Sequence, residues 1–266
     1  MTAKRQLNYQ FQPASRSSGN PVLVFLHGLF GDMNNLGVIA KAFAEDYAIL
    51  RADLRNHGRS FHADEMNYPA MAADVIRLLE HLNVSNAILI GHSMGGKTAM
   101  TAAAQRPDLI SKIAVIDIAP VDYNNVLYND NAHAKEFQAL FALKAADIQT
   151  RQQAKTVLEN YLDSEATIQF LLKSFDADAS EKTRFNLTAL YTHYRQIMGW
   201  GKVRYTQPVL FIKGGESNYI LPQYGDTILA QFPQATSFTI AGAHHWVHAE
   251  KPELVARAIT KFIQSN

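Results

Sequence analysis

Six short apolar runs recur along the chain: VLVFL (22–26), YAILRA (47–52), NAILIG (86–91), KIAVID (112–117), PVLFIK (208–213) and TSFTIAG (236–242). Most lack the apolar–polar alternation of a strand with one wet face, so both faces are expected to be buried. Strands of that kind belong to a parallel sheet covered by helices on either side. A seventh segment, LNYQFQ (7–12), does alternate and comes first, which suits a half-exposed edge strand. Helix-period segments lie between the runs, at 34–44, 69–82, 94–105 and 251–263, with Pro69 and Pro252 near two helix starts. A proline at that point gives up an N–H that has no partner within the helix. Strand–helix alternation implies βαβ crossovers, hence an α/β chain with a mostly parallel, doubly wound sheet.

One interval breaks the rhythm. Roughly ninety residues separate KIAVID from PVLFIK and contain no clear buried strand. That exceeds any ordinary connection. The interval instead holds helix-like pieces, AKEFQALFALKAA, TRQQAKTVLENYL, EATIQFLLKSF and RFNLTALYTHYRQI. The expected organisation is a core made of 1–119 and 205–266, interrupted by a helical cap at 120–204. Its inward face would draw on Phe137, Phe141, Phe170, Phe175 or Trp200, although most of these aromatics are expected simply to form the cap's own core.

Composition narrows the chemistry. The 266 residues carry a net charge of +1, which advertises neither nucleic acid nor an anionic membrane as a partner. There is no cysteine, which excludes disulfides, thiolate nucleophiles and cysteine-ligated metals. The N-terminal stretch has early positive charge but no apolar run behind it, and the apolar runs are far too short to span a bilayer. A cytoplasmic protein is expected. No His/Asp/Glu cluster has metal spacing and no G-x-G-x-x-G opens a dinucleotide unit, so no metal or cofactor is expected.

The most specific signal is NAILIGHSMGGKTAM, in which Gly91-His92-Ser93-Met94-Gly95 joins a buried strand to a helix. A G-x-S-x-G pattern is common by chance, but a strand before it and a helix after it are what a nucleophile elbow requires. Ser93 is the expected nucleophile. The loop HGLFG (27–31) closes the first central strand. An oxyanion needs two N–H donors, and the expected pair is Met94 and Leu29, with Phe30 the near alternative to Leu29. Phe30 is also a candidate for the substrate-binding surface, together with Trp246 and Trp200. His27 is read as a loop organiser rather than a base.

A serine hydroxyl needs a base. The segment AGAHHWVHAEKP (241–252) offers His244, His245 and His248 between the last strand and the last helix. His245 stands five residues before Glu250 and seven before Pro252, the usual register for this fold, and it is the expected base. The base in turn needs a buried carboxylate. The loop after PVLFIK, where many such enzymes carry an aspartate, reads Gly214-Gly215-Glu216-Ser217-Asn218. Asn218 has no charge, and Glu216 would need an unusual reach. Asp117 ends the otherwise uncharged run Ile113 to Ile116 at a strand's carboxyl end, where α/β sites assemble. It is the expected acid, with Glu216 second and a turn-capping role as the bland alternative. Arg55 is read as a structural hydrogen-bonding hub in preference to an anion ligand. Lys97, one turn after Ser93, is read as packing with a buried carboxylate.

With these residues placed, HGLFG, DLRNHG, GHSMGGK, IDIAPVDY and GAHHWVHAEKP together resemble the α/β-hydrolase superfamily and, within it, small bacterial serine esterases. The resemblance implies a small helical cap, a carboxylic-ester or acyl-thioester hydrolase, a small-molecule acyl substrate and an acid on the strand that follows the nucleophile helix. Two rivals stand beside that expectation: a cofactor-free perhydrolase or C–C hydrolase on the same scaffold, and a receptor-like protein that keeps the pocket for binding alone.

Overall fold

A computed structural model describes residues 5–16, 19–124 and 132–265. Seven strands form one sheet: β1 (Tyr9–Gln12), β2 (Val22–Leu26), β3 (Ile49–Ala52), β4 (Ala87–His92), β5 (Ile110–Ile116), β6 (Val209–Gly214) and β7 (Ala235–Ile240), in the order β1-β3-β2-β4-β5-β6-β7. β1 pairs antiparallel with β3, and every other pairing is parallel. This is the α/β-hydrolase arrangement that the strand pattern implies, with LNYQFQ on one edge.

Side chains alternate across the central strands into two apolar layers. Leu23, Phe25, Ile88, Ile90, Ile116 and Ile212 pack with α1 (Gly37–Lys41) and α11 (Pro252–Gln264). Val24, Leu26, Leu89, Val115 and Phe211 pack with α2 (Tyr68–His81) and α3 (Met94–Gln105). Each fully buried Leu, Ile or Phe contributes about 1.5–3 kcal/mol of transfer free energy. Asn67 starts α2 by accepting the Ala70 N–H, with Pro69 just inside. Pro252 opens α11.

Two expectations are corrected. TSFTIAG is not buried on both faces. β7 is the far edge of the sheet, paired on one side only, and Thr236 to Thr239 are exposed. The helix expected over 34–44 shortens to the five residues of α1, flanked by turns.

Between β5 and β6 the described residues form α4 (Ala134–Ala145), α5 (Arg151–Glu159), α6 (Glu165–Leu172), α7 (Leu187–Thr192) and α8 (Tyr194–Met198). After β6 come α9 (Gly225–Gln231) and, beyond β7, the short α10 (Val247–Glu250). Among the described residues, no helix is long and apolar enough to cross a membrane.

Candidate active site

Ser93 sits between β4 and α3 with φ 51° and ψ −118°, a conformation that costs an L-residue about 1–3 kcal/mol. Close packing holds it there. A Cβ on Gly91 would lie 2.2 Å from the Gly95 carbonyl oxygen, and one on Gly95 would lie 2.3 Å from the Leu26 carbonyl oxygen. Only glycine at both positions lets helix and strand approach this closely. Phe30 (φ 62°) and Asp117 (φ 53°) are also left-handed, so backbone strain gathers at the carboxyl ends of β2, β4 and β5.

The structure brings Ser93, His245 and Asp117 together. His245 Nε2 lies 3.1 Å from Ser93 Oγ, and His245 Nδ1 lies 2.8 Å from Asp117 Oδ2. Asp117 is fully buried, whereas the His245 side chain keeps 23% of its surface. The Gly214 N–H donates to Asp117 Oδ1 at 2.9 Å, and the Ser217 hydroxyl donates to Oδ2. The carboxylate is thus satisfied on both oxygens without a cation, as a buried charge requires. Glu216 and Asn218 point to solvent. His244 is also outward, its side chain 72% exposed. Glu250 accepts the His244 N–H at 3.0 Å and holds the loop in the register that turns His245 inward.

Among the described residues, neither the Leu29 N–H nor the Met94 N–H donates to a protein acceptor, and Met94 opens α3, where the first N–H groups are free of intrahelical bonds. The near alternative is spent: the Phe30 N–H donates to His57 Nε2 at 3.2 Å. His57 in turn donates from Nδ1 to the Arg55 carbonyl at 3.0 Å, which sets its tautomer, and burial lowers its pKa to about 3. His27 behaves alike. Its Nδ1–H bonds the Gly28 carbonyl, its Nε2 accepts the Leu54 N–H, and burial lowers its pKa. Arg55 is the hub of its loop, paired with Asp74 at 2.5 Å and bonded to the carbonyls of Glu65 and Ala70.

Above Ser93 lies a cavity of about 460 Å³, of the size that takes small ligands. Leu29, Phe30, Phe170, Leu171, Tyr219 and Trp246 supply its apolar walls. Phe170 and Trp246 meet at 5.1 Å between ring centroids, joining α6 to the His245 loop.

Trp200 does not line the cavity. Its indole N–H donates to Gln231 Oε1 at 2.8 Å and its ring stands 6.0 Å from Tyr68, so a polar anchor pulls it to the base of the inserted helices. Phe137 is buried against Phe30, Tyr191 and Tyr194. Lys97 also departs from expectation. Among the described residues no carboxylate touches it; its ammonium donates to the carbonyls of Val121, Met198 and Gly199 at 2.8–3.0 Å, and burial lowers its pKa to about 7. Three N–H donors meet three carbonyls, which the one-turn offset from Ser93 could not reveal.

The residues that sequence reasoning missed are Gly214, Ser217, His92 and Tyr219. His92 Nε2–H donates to the His245 carbonyl at 3.0 Å, and burial holds its pKa well below the usual imidazole value. Only Ser217 left a readable trace, as a hydroxyl in the loop searched for an acid. Among the described residues, no group of three His, Asp or Glu is arranged to hold a metal ion.

A strained serine at a strand–helix turn, in a chain with helices inserted between β5 and β6 and a histidine after the last strand, defines an α/β hydrolase. The model of the alpha/beta hydrolase fold family matches residues 21–252, and the chain belongs to that family. It is 54% identical to a "putative esterase/lipase" of Haemophilus influenzae, over 99% of this chain and 90% of that protein. It is 46% identical to Esterase YbfF of Escherichia coli, over 97% and 99%. It is 39% identical to the mouse sn-1-specific diacylglycerol lipase ABHD11, over 91% and 81%. Among solved structures, a marine microorganism esterase superposes with a TM-score of 0.90 at 34% identity, covering 97% of this chain and all of that one.

Proposed function

We propose that the protein is a serine hydrolase of carboxylic esters that works through Ser93, His245 and Asp117 and a covalent acyl-enzyme. The observation that carries this reading is the unbroken line from Ser93 Oγ through the His245 ring to the buried Asp117 carboxylate at the floor of the cavity. The similarity to named esterases and to a lipase supports the substrate class.

Ser93 Oγ attacks the acyl carbonyl carbon while His245 Nε2 takes its proton. Asp117 holds Nδ1–H and balances the positive charge of the imidazolium. The N–H groups of Leu29 and Met94 receive the oxyanion. The tetrahedral intermediate collapses as His245 returns the proton to the leaving oxygen, or to sulfur in a thioester. Water then adds to the acyl-enzyme with His245 again as base, which releases the acid and restores Ser93. The helices α4 to α8, within the 120–204 interval of which 125–131 lie outside the described residues, act as a cap, and Phe170 and Trp246 limit the cavity to short and medium acyl chains.

A fluorophosphonate is expected to label Ser93 stoichiometrically, and Ser93→Ala is expected to abolish labelling. Labelling elsewhere, or none on folded protein, would sink the proposal. A chain-length series of p-nitrophenyl esters and acyl-CoA thioesters, read as kcat/KM, ranks the leaving groups. Interfacial activation on emulsified long-chain fat would overturn the chain-length assignment.

A further inference from the structure

The loop after β6 supplies no acid, yet it comes back to the site one residue beyond Asn218. The Tyr219 ring lies flat on the His245 imidazole, with centroids 3.9 Å apart and planes inclined by 23°. Tyr219 is half-buried and lines the cavity. Its placement is built. The Tyr219 N–H donates to Ser217 Oγ at 3.3 Å, its carbonyl accepts the Tyr123 hydroxyl, and the Tyr123 ring stands edge-on at 5.5 Å. Ser217 is the same residue whose hydroxyl bonds the Asp117 carboxylate. Three consecutive residues of this loop therefore include one contact to the carboxylate and one to the imidazole face.

We propose that Tyr219 is a positioning residue of the triad, whose ring fixes the plane of the His245 imidazole and stabilises the imidazolium formed as Ser93 attacks. The inference rests on the reading of His245 as the base. An aromatic face carries negative quadrupole density and attracts a cation more than a neutral ring. The interaction is therefore stronger once the imidazole has accepted its proton, and only such differential interactions speed the chemical step. Asp117 acts on the edge of the ring at Nδ1 and Tyr219 on its face, so the two effects are separable. A tyrosine that merely filled space would change stability but leave the pH dependence of turnover unmoved.

The other titratable groups around the ring do not obscure such a reading. Among the described residues they are Asp117 after β5, His92 from β4, His248 from α10 and His133 ahead of α4, with Lys173 after α6 and Glu136 on α4 in the cavity wall. Burial lowers His248 to about 3 and His133 to about 4, so these two imidazoles stay neutral above about pH 5, and burial also holds His92 well below the usual imidazole range. Burial raises the Glu136 carboxyl, which makes Glu136→Gln the control that the acid limb belongs to the base.

The test compares kcat, KM and the pH profile of kcat/KM for a p-nitrophenyl acyl ester in the wild type, Tyr219→Phe and Tyr219→Leu. Tyr219→Leu is expected to lower kcat about fivefold with KM little changed, and to move the acid limb down by about 0.7 pH unit, since the imidazolium loses its ring. Tyr219→Phe keeps the ring and is expected to restore both. A Leu variant with wild-type kcat and limb, or a Phe variant as impaired as Leu, would overturn the inference. Should Tyr219→Leu not fold, the wild-type NMR spectrum decides: stacking shifts the His245 ring protons upfield, and unshifted resonances would overturn it. Fluorophosphonate labelling separates the two levels. A wild type that does not label at Ser93 sinks the triad and this inference together, whereas intact labelling with a silent Tyr219→Leu sinks this inference alone.

Discussion

The ends of β5 and β6 are neighbours in the sheet, and they divide one task between them. β5 is followed directly by Asp117, a fully buried carboxylate 2.8 Å from His245 Nδ1. β6 ends in Gly214, and Gly214 and the loop residue Ser217 donate hydrogen bonds to that carboxylate, while the charged and amide side chains of the loop, Glu216 and Asn218, face water. One strand end holds the charge and the other keeps the charge satisfied. The proposed base requires a carboxylate at Nδ1, and here it comes from the end of β5.

The largest expected effect comes from breaking this division at β5. Asp117→Asn is expected to leave the fold intact and to lower kcat by about 10⁴, because an amide favours the wrong imidazole tautomer and gives the imidazolium no counter-charge. Near-wild-type turnover would place the acid elsewhere. A second change then asks whether the strand ends are interchangeable. In the Asp117→Asn background, Asn218→Asp is expected to recover about tenfold or more of the lost kcat, and no recovery would show that only β5 reaches the ring.

The donor side is expected to matter less. Ser217→Ala removes a hydrogen bond to a buried carboxylate while leaving its charge, and a bond of that kind contributes about 1.5–3 kcal/mol. A kcat about tenfold lower, with a reduced melting temperature, is expected from paired kinetic and thermal measurements. The smallest effect is assigned to Glu216→Gln, less than about threefold in kcat, since an exposed carboxylate is screened by water. A crippled Glu216→Gln beside a silent Asp117→Asn would reverse the comparison.

The elbow was legible because its demands are local. Gly91, Ser93 and Gly95 follow directly from a strand that must turn into a helix across a close contact, and the turn can be read within one short segment. Asp117 was legible because one charge at the end of an apolar run has few physical explanations. His245 followed from its spacing to Glu250, whose carboxylate does hold the preceding N–H. The inserted helices were legible as an interval without strands, but the inward face of those helices was not. Phe170 reached the cavity, whereas Trp200, equally aromatic, was drawn to Gln231.

By itself the sequence determined the strands, the turn after β4 and the identity of the groups that can carry charge, since these depend on side-chain periodicity and on neighbours a few residues away. Tertiary structure alone decided how those groups are matched. Lys97 met three carbonyls instead of a carboxylate, two of them from residues 101 and 102 positions later in the chain. The Phe30 N–H was taken by His57, and Tyr219 came to lie on His245 across 26 residues of chain. Hydrogen bonds and ring stacking act over 3–4 Å, so they follow from how strand ends converge in space, and no local pattern carries that distance.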